Sequence, residues 1–101
     1  MEEYKLRIMP SAQVDILDIV EHMNALPPEA ASDNYDSFIE QLGSLAVIPE
    51  RCALAKDTQL RLRGYRTLPV DDYTVFFVIR SSTVEIRRVL YSKRQYERLF
   101  Q

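Results

Sequence analysis

The stretch Tyr73 to Arg80 constrains this chain more than any other. Val75, Phe76, Phe77, Val78 and Ile79 follow one another without a polar break. They lie between two short polar pairs, Asp71-Asp72 and Ser81-Ser82. A run this short is a buried strand, because a membrane helix needs about 20 apolar residues. A strand apolar on both sides must be covered on both sides, so it is central. The polar pairs that bound it are turns.

Strand-like segments flank it. Leu62 to Val70 precedes the first turn, and Pro69 near its end suits an edge or a strand terminus. Thr83 to Tyr91 follows the second turn and alternates Val84, Ile86, Arg88 and Leu90 with Glu85, Arg87, Val89 and Tyr91. Two tight turns joining three strands predict an antiparallel meander.

Upstream the period changes. Residues 3–9 alternate Tyr4, Leu6 and Ile8 with Lys5 and Arg7, a half-buried strand. Pro10-Ser11 breaks it, and Ser11 is the expected N-cap of a first helix. Ala12, Ile16, Ile19, Val20, Met23 and Leu26 recur at three- and four-residue steps, with Asp15, Asp18 and Glu21 turned to water. Pro27-Pro28 ends this helix. A second is predicted from about Glu29 to Val47, with Ala31, Tyr35, Phe38, Ile39, Leu42 and Leu45 as its stripe. Residues 49–61 read as an ordered loop. The tail from Ser92 to Phe100 has helical spacing in Tyr96, Leu99 and Phe100. The order is β-α-α-β-β-β-α, an α+β fold with a helical hairpin on one face of a curled, mainly antiparallel sheet. The other face is then solvated or used for binding.

With 101 residues, the chain 1–101 forms one domain with one core. Its acidic beginning does not resemble a secretory signal, and one cysteine, Cys52, allows no internal disulfide. Both point to the cytoplasm. The net charge of −2 conceals a division. Residues 1–50 hold two cations and ten carboxylates, whereas residues 51–101 hold eleven cations and five carboxylates. The second half is therefore the place to expect an anion-binding surface.

Several chemistries are excluded. The two glycines, Gly43 and Gly64, cannot make a phosphate loop. The single His22 allows no two-histidine metal site, and neither a Cys nor a Ser nucleophile pair has a supporting motif. No metal or other cofactor is expected. What remains is a set of cations and tyrosines in the late strands and tail: Arg63, Tyr65, Arg66, Arg87, Arg88, Tyr91, Lys93, Arg94, Tyr96 and Arg98. Guanidinium forks bind phosphate by two-point contacts, and phenol rings offer stacking faces. The competing reading is that strand tyrosines pack and arginines solvate.

Four motifs follow one another at matching places: Pro10-x-Ala12-x-x-Asp15-Ile16, Pro49-Glu50-Arg51, Leu62-Arg63-Gly64-Tyr65-Arg66, and Val84-x-Ile86-x-Arg88-Val89-Leu90-Tyr91-x-x-Arg94-x-Tyr96. In these the chain resembles the RelE/ParE superfamily, the toxins of type II toxin–antitoxin modules. The resemblance spans nearly the whole chain and implies the α+β fold read above. It implies a cognate antitoxin as partner, with the target differing by branch. RelE-type members cut ribosome-bound mRNA without a metal, whereas ParE-type members poison DNA gyrase without being enzymes.

The first expectation drawn from the resemblance is a ribosome-dependent mRNA endoribonuclease that blocks translation. The alternatives are a ParE-type gyrase inhibitor and an inactive, antitoxin-binding member. RNA cleavage through the 2′-OH requires a proton to be removed, a crowded phosphate to be stabilised and a leaving oxygen to be protonated. The resemblance assigns that chemistry to Arg66, Arg94 and Tyr96, with Arg63, Tyr91 and Lys93 holding RNA or phosphate. Two positions depart from the ribonuclease pattern. Leu68 stands where a lysine is expected and Thr74 where a strand arginine is expected, and there is no C-terminal histidine. Arg63 and Arg88 could rebuild such a site, although the alternation of Arg88 with apolar neighbours points it inward, towards a carboxylate.

Overall fold

The two predicted tight turns bring three strands together in the computed structural model, which describes residues 3–93. Strands β2 (Arg66–Val70), β3 (Tyr73–Arg80) and β4 (Thr83–Tyr91) pair antiparallel in sequence order. Asp71 and Ser81 hold positive φ in the two turns, a conformation that short polar side chains tolerate. β1 (Lys5–Ile8) lies parallel to β4, giving a mixed sheet of order β1-β4-β3-β2.

Helices α1 (Pro10–Asn24) and α2 (Pro28–Gly43) form the hairpin. Ser11 does not cap α1, as the sequence suggested it would. Met9 is the N-cap and Pro10 takes the first helical position, where its fixed φ suits the helix and its missing N–H costs nothing. Ala12, Ile19 and Met23 of α1 and Phe38 and Leu42 of α2 are buried against Val70, Val75, Phe77, Val84, Ile86 and Val89. Leu26 lies past the end of α1 and is exposed, as are Tyr35 and Ile39.

α2 is shorter than its apolar spacing suggested. It ends at Gly43 and is followed by 3-10 turns at Ser44–Ala46 and Pro49–Arg51. Between them Ile48 adopts a left-handed backbone (φ 48°), costly for a β-branched residue. Arg51 holds this exit. Its Nη1 donates to the carbonyls of Val47 (2.9 Å), Ile48 (3.1 Å) and Ser44 (3.3 Å), and its Nη2 to Ser44 Oγ.

The first meander strand begins at Arg66 rather than Leu62. Residues 58–62 instead form a third helix, α3 (Thr58–Leu62), inside the stretch read as loop and strand. Asp57 caps it, accepting the Leu60 N–H at 3.0 Å. Gly64 closes it at φ 82°. Leu60, Ala55 and Tyr65 cover Phe76, Val78 and Leu90 in a second apolar cluster on the far side of the sheet. Burying Leu60 contributes roughly 1.5–3 kcal/mol, more than the weak local preference of Leu62 for a strand. The sheet is therefore covered on both faces over β3, as its continuous apolar run requires. No described helix is long and apolar enough to cross a membrane.

Candidate functional site

The candidate residues distribute along the sheet according to its register. Arg66 pairs with Phe77 on β3, and Tyr91 pairs with Tyr73. Phe77 and Tyr73 are four positions apart, about 13 Å along the strand, and two strand spacings add about 10 Å sideways. The guanidinium of Arg66 is engaged by residues 50 and 52. Its Nη1 donates to the Cys52 carbonyl at 2.6 Å and the Glu50 carbonyl at 3.3 Å. Arg63, the C-cap of α3, is exposed. Tyr91 is exposed at the end of β4 with its ring edge-on to Tyr73, centroids 6.2 Å apart, and Lys93 follows it in solvent. Arg94 and Tyr96, with the predicted tail helix, lie outside the described residues. Within the described part, Arg66 and Tyr91 stand at distant register positions on the sheet.

Other cations have partners inside the fold. The register shifts at Phe76/Phe77, so that Phe76 faces Arg88 and Phe77 faces Ile86. Arg87 is thus the extra residue of a bulge, which re-aims the side chains after it. β1 reaches only as far as Ile86, so beyond it the flank of β4 needs another partner. Asp15 on α1 supplies it. One carboxylate oxygen accepts Arg88 Nε (2.7 Å) and the Val89 N–H (2.9 Å), and the other accepts Arg88 Nη2 (2.9 Å). This hydrogen bond holds the Arg88 pKa above its ordinary value, against the effect of burial. Arg88 meets a carboxylate as its alternation suggested, but the bulge rather than strict alternation sets its direction. Arg87 and Arg80 both engage Glu85, at 2.8 and 3.2 Å.

The two departures from the ribonuclease pattern are structurally settled positions. Leu68 packs against the main core. Thr74 Oγ1 lies 2.9 Å from Ser92 Oγ, joining β3 to the chain just past β4.

A second group joins β1 to the 49–51 turn. The Tyr4 hydroxyl donates to the Glu50 carboxylate. That bond, then the local backbone N–H, and then the nearby Arg66 charge hold Glu50 below its ordinary pKa. Burial pushes the Cys52 thiol up, against the charges of Arg51 and Arg66, so it is a poor nucleophile. His22 is exposed, with Nδ1 2.9 Å from the Asp18 carbonyl oxygen. It borders a cleft of about 300 Å³ with Asp15, Asp18, Tyr73 and Tyr91. The cleft is acidic, and the Tyr73 phenol is pushed up by burial and by Asp72, so it stays protonated and offers no base. No group of three or more His, Cys, Asp or Glu among the described residues could hold a metal.

The sequence reading passed over one feature. α3 and its flanks present Lys56, Arg61, Leu62 and Arg63 to solvent, with Leu62 81% exposed. The signal available was an apolar residue between two arginines next to a glycine.

Residues 6–96 match the family described as ParE toxin of type II toxin-antitoxin system, parDE. The chain belongs to the ParE toxin family. Within the wider RelE/ParE superfamily it is the toxin component of a type II module. No curated protein shows a significant sequence match to it. Among solved structures, it is similar to a chain of the chromosomal ParDE system from P. aeruginosa. There the TM-score is 0.70 at 22% identity over 88% of this chain and 96% of that one. It is also similar to a chain of the RelBE2 toxin–antitoxin complex from Mycobacterium tuberculosis. That match has a TM-score of 0.61 at 23% identity over 93% and 97%. At these identities the likeness establishes the fold: two main helices on a four-stranded mixed sheet.

Proposed function

We propose that this ParE-family toxin acts on DNA gyrase by binding, as ParE-type members do, and that it has no ribonuclease step. The carrying observation is the state of Arg66. A catalytic guanidinium aims its donors at a phosphate in the transition state, whereas Arg66 commits its Nη1 to the carbonyls of Cys52 and Glu50, which anchors the group to the 50–52 segment. Leu68 and Thr74 extend the argument. One packs, half-buried, against the core and the other is bonded to Ser92, where a ribonuclease would place cations. The family match is to ParE, which favours the same reading. Both structural relatives come from toxin–antitoxin assemblies, which supports a protein antitoxin as the regulating partner.

The test is a pair of assays on the purified toxin. Supercoiling of relaxed plasmid by gyrase should fall with added toxin, and antitoxin should restore it. Primer extension on mRNA from translating ribosomes should show no new ends. Cleavage in the ribosomal A site, lost in Arg94→Ala or Tyr96→Phe, would instead establish the endoribonuclease and refute the proposal.

A further inference from the structure

Between residues 51 and 66 the sequence places five cations and one carboxylate. Two of the cations, Arg51 and Arg66, are tied to backbone carbonyls. The carboxylate, Asp57, caps α3. Lys56, Arg61 and Arg63 are left exposed and make no ion pair or side-chain hydrogen bond among the described residues. Leu62 stands between two of them, 81% exposed.

The mount beneath these side chains is fixed. Leu60, Ala55 and Tyr65 are each buried against β3 and β4. The Ala55 N–H donates to the Tyr65 carbonyl at 2.9 Å, and the Tyr65 N–H to the Leu60 carbonyl at 3.0 Å. The Gly64 N–H donates to the Arg61 carbonyl at 2.9 Å. A five-residue helix held this way gives up little further backbone entropy when it docks. The fold gains almost nothing from Leu62, whose burial in a complex would be new.

From this, we infer that the α3 lobe is the face that grips the toxin's target, and that the target offers an apolar pocket rimmed by carboxylates. This rests on the gyrase-binding reading and assigns it a surface. The pattern is that of an interface hot spot: an apolar anchor to be desolvated, with charges around it that steer and orient. A protein surface fits better than nucleic acid. Phosphates would engage the three cations but leave the aliphatic Leu62 without a partner, and the lobe's tyrosine, Tyr65, is buried and offers no stacking face.

The experiment compares Leu62→Asp and the double variant Arg61→Glu/Arg63→Glu with wild type and with Lys5→Glu, an exposed cation on β1. Each is titrated into gyrase supercoiling of relaxed plasmid, and each is melted by circular dichroism. Because the altered side chains are exposed, the melting temperatures should agree within a few degrees. The toxin concentration for half-inhibition should rise about tenfold or more for both lobe variants and less than twofold for Lys5→Glu. Raising the salt should weaken wild type more than the double variant. Lobe variants that inhibit as well as wild type would overturn this inference and leave the gyrase reading intact. Wild-type toxin without effect on gyrase would sink that reading and this one with it. Binding of wild type to duplex DNA alone, lost in step with inhibition in the double variant, would make the lobe a DNA contact and overturn the protein pocket.

Discussion

Replacing Asp15 with alanine tests the account of how β4 is finished. The Asp15 carboxylate accepts two bonds from Arg88 and one from the Val89 N–H. The Arg88 and Asp15 side chains retain 18% and 10% of their exposure, respectively. Removing one partner of a fully buried ion pair costs roughly 3–5 kcal/mol. The residual exposure lets water reach the orphaned guanidinium and reduces that to about 2–3 kcal/mol. The unpaired Val89 N–H adds about 1 kcal/mol. The expected loss is therefore about 3–4 kcal/mol, a large part of the stability of a domain this size. It corresponds to a fall in melting temperature of roughly 12–32 °C. Urea unfolding at neutral pH, followed by circular dichroism, measures it. Arg88→Met should also destabilise, because it leaves the Asp15 carboxylate, the more buried of the two groups, with only the Val89 N–H, and the double variant Asp15→Leu/Arg88→Met, which removes both charges, should recover part of the loss. A cost below about 1 kcal/mol for Asp15→Ala would refute the reasoning. So would an Arg88→Met protein that is fully stable but no longer toxic, since Arg88 would then belong to the site and not to the frame.

Three other expectations follow from the same geometry. Tyr4→Phe removes the bond that lowers Glu50. A depressed carboxyl stabilises the fold above its unfolded pKa and loses that contribution as pH falls through the folded value. Wild type should therefore lose stability below about pH 4.5, and Tyr4→Phe should show a shallower slope there in melts taken from pH 6 to pH 3. Arg51→Lys should destabilise by roughly 1.5–3 kcal/mol in urea unfolding despite keeping the charge, because one ammonium cannot reproduce a fork that reaches three carbonyls and a hydroxyl. Equal stability would show that the α2 exit does not depend on that fork. Gly64→Ala should cost about 1–2 kcal/mol through the left-handed backbone alone, since a Cβ there meets nothing within 4 Å. A melting temperature unchanged within 2 °C would contradict the role given to Gly64.

The local signals that survived folding are those whose physics is short-range. Pro27-Pro28 separates the helices whatever surrounds it, because the ring removes a donor and blocks the preceding helical geometry. The continuous apolar run from Val75 to Ile79 demands cover on two sides, and Asp71-Asp72 and Ser81-Ser82 tolerate the left-handed turns that fold β2, β3 and β4 together. The helical hairpin, the meander and their order were legible for these reasons. The parallel pairing of β1 with β4, the bulge at Arg87 and the start of β2 at Arg66 were not. Each depends on which distant surface a segment meets: α3 exists because Leu60 finds Phe76 and Val78 across the sheet. The chemistry of the arginines followed the same division. Composition placed the cations in the second half of the chain. Only the tertiary structure decided that Arg51 and Arg66 hold carbonyls and Arg88 holds Asp15, while Arg61 and Arg63 face water, because a guanidinium's role is set by whichever acceptors the fold brings within 3 Å or so of it.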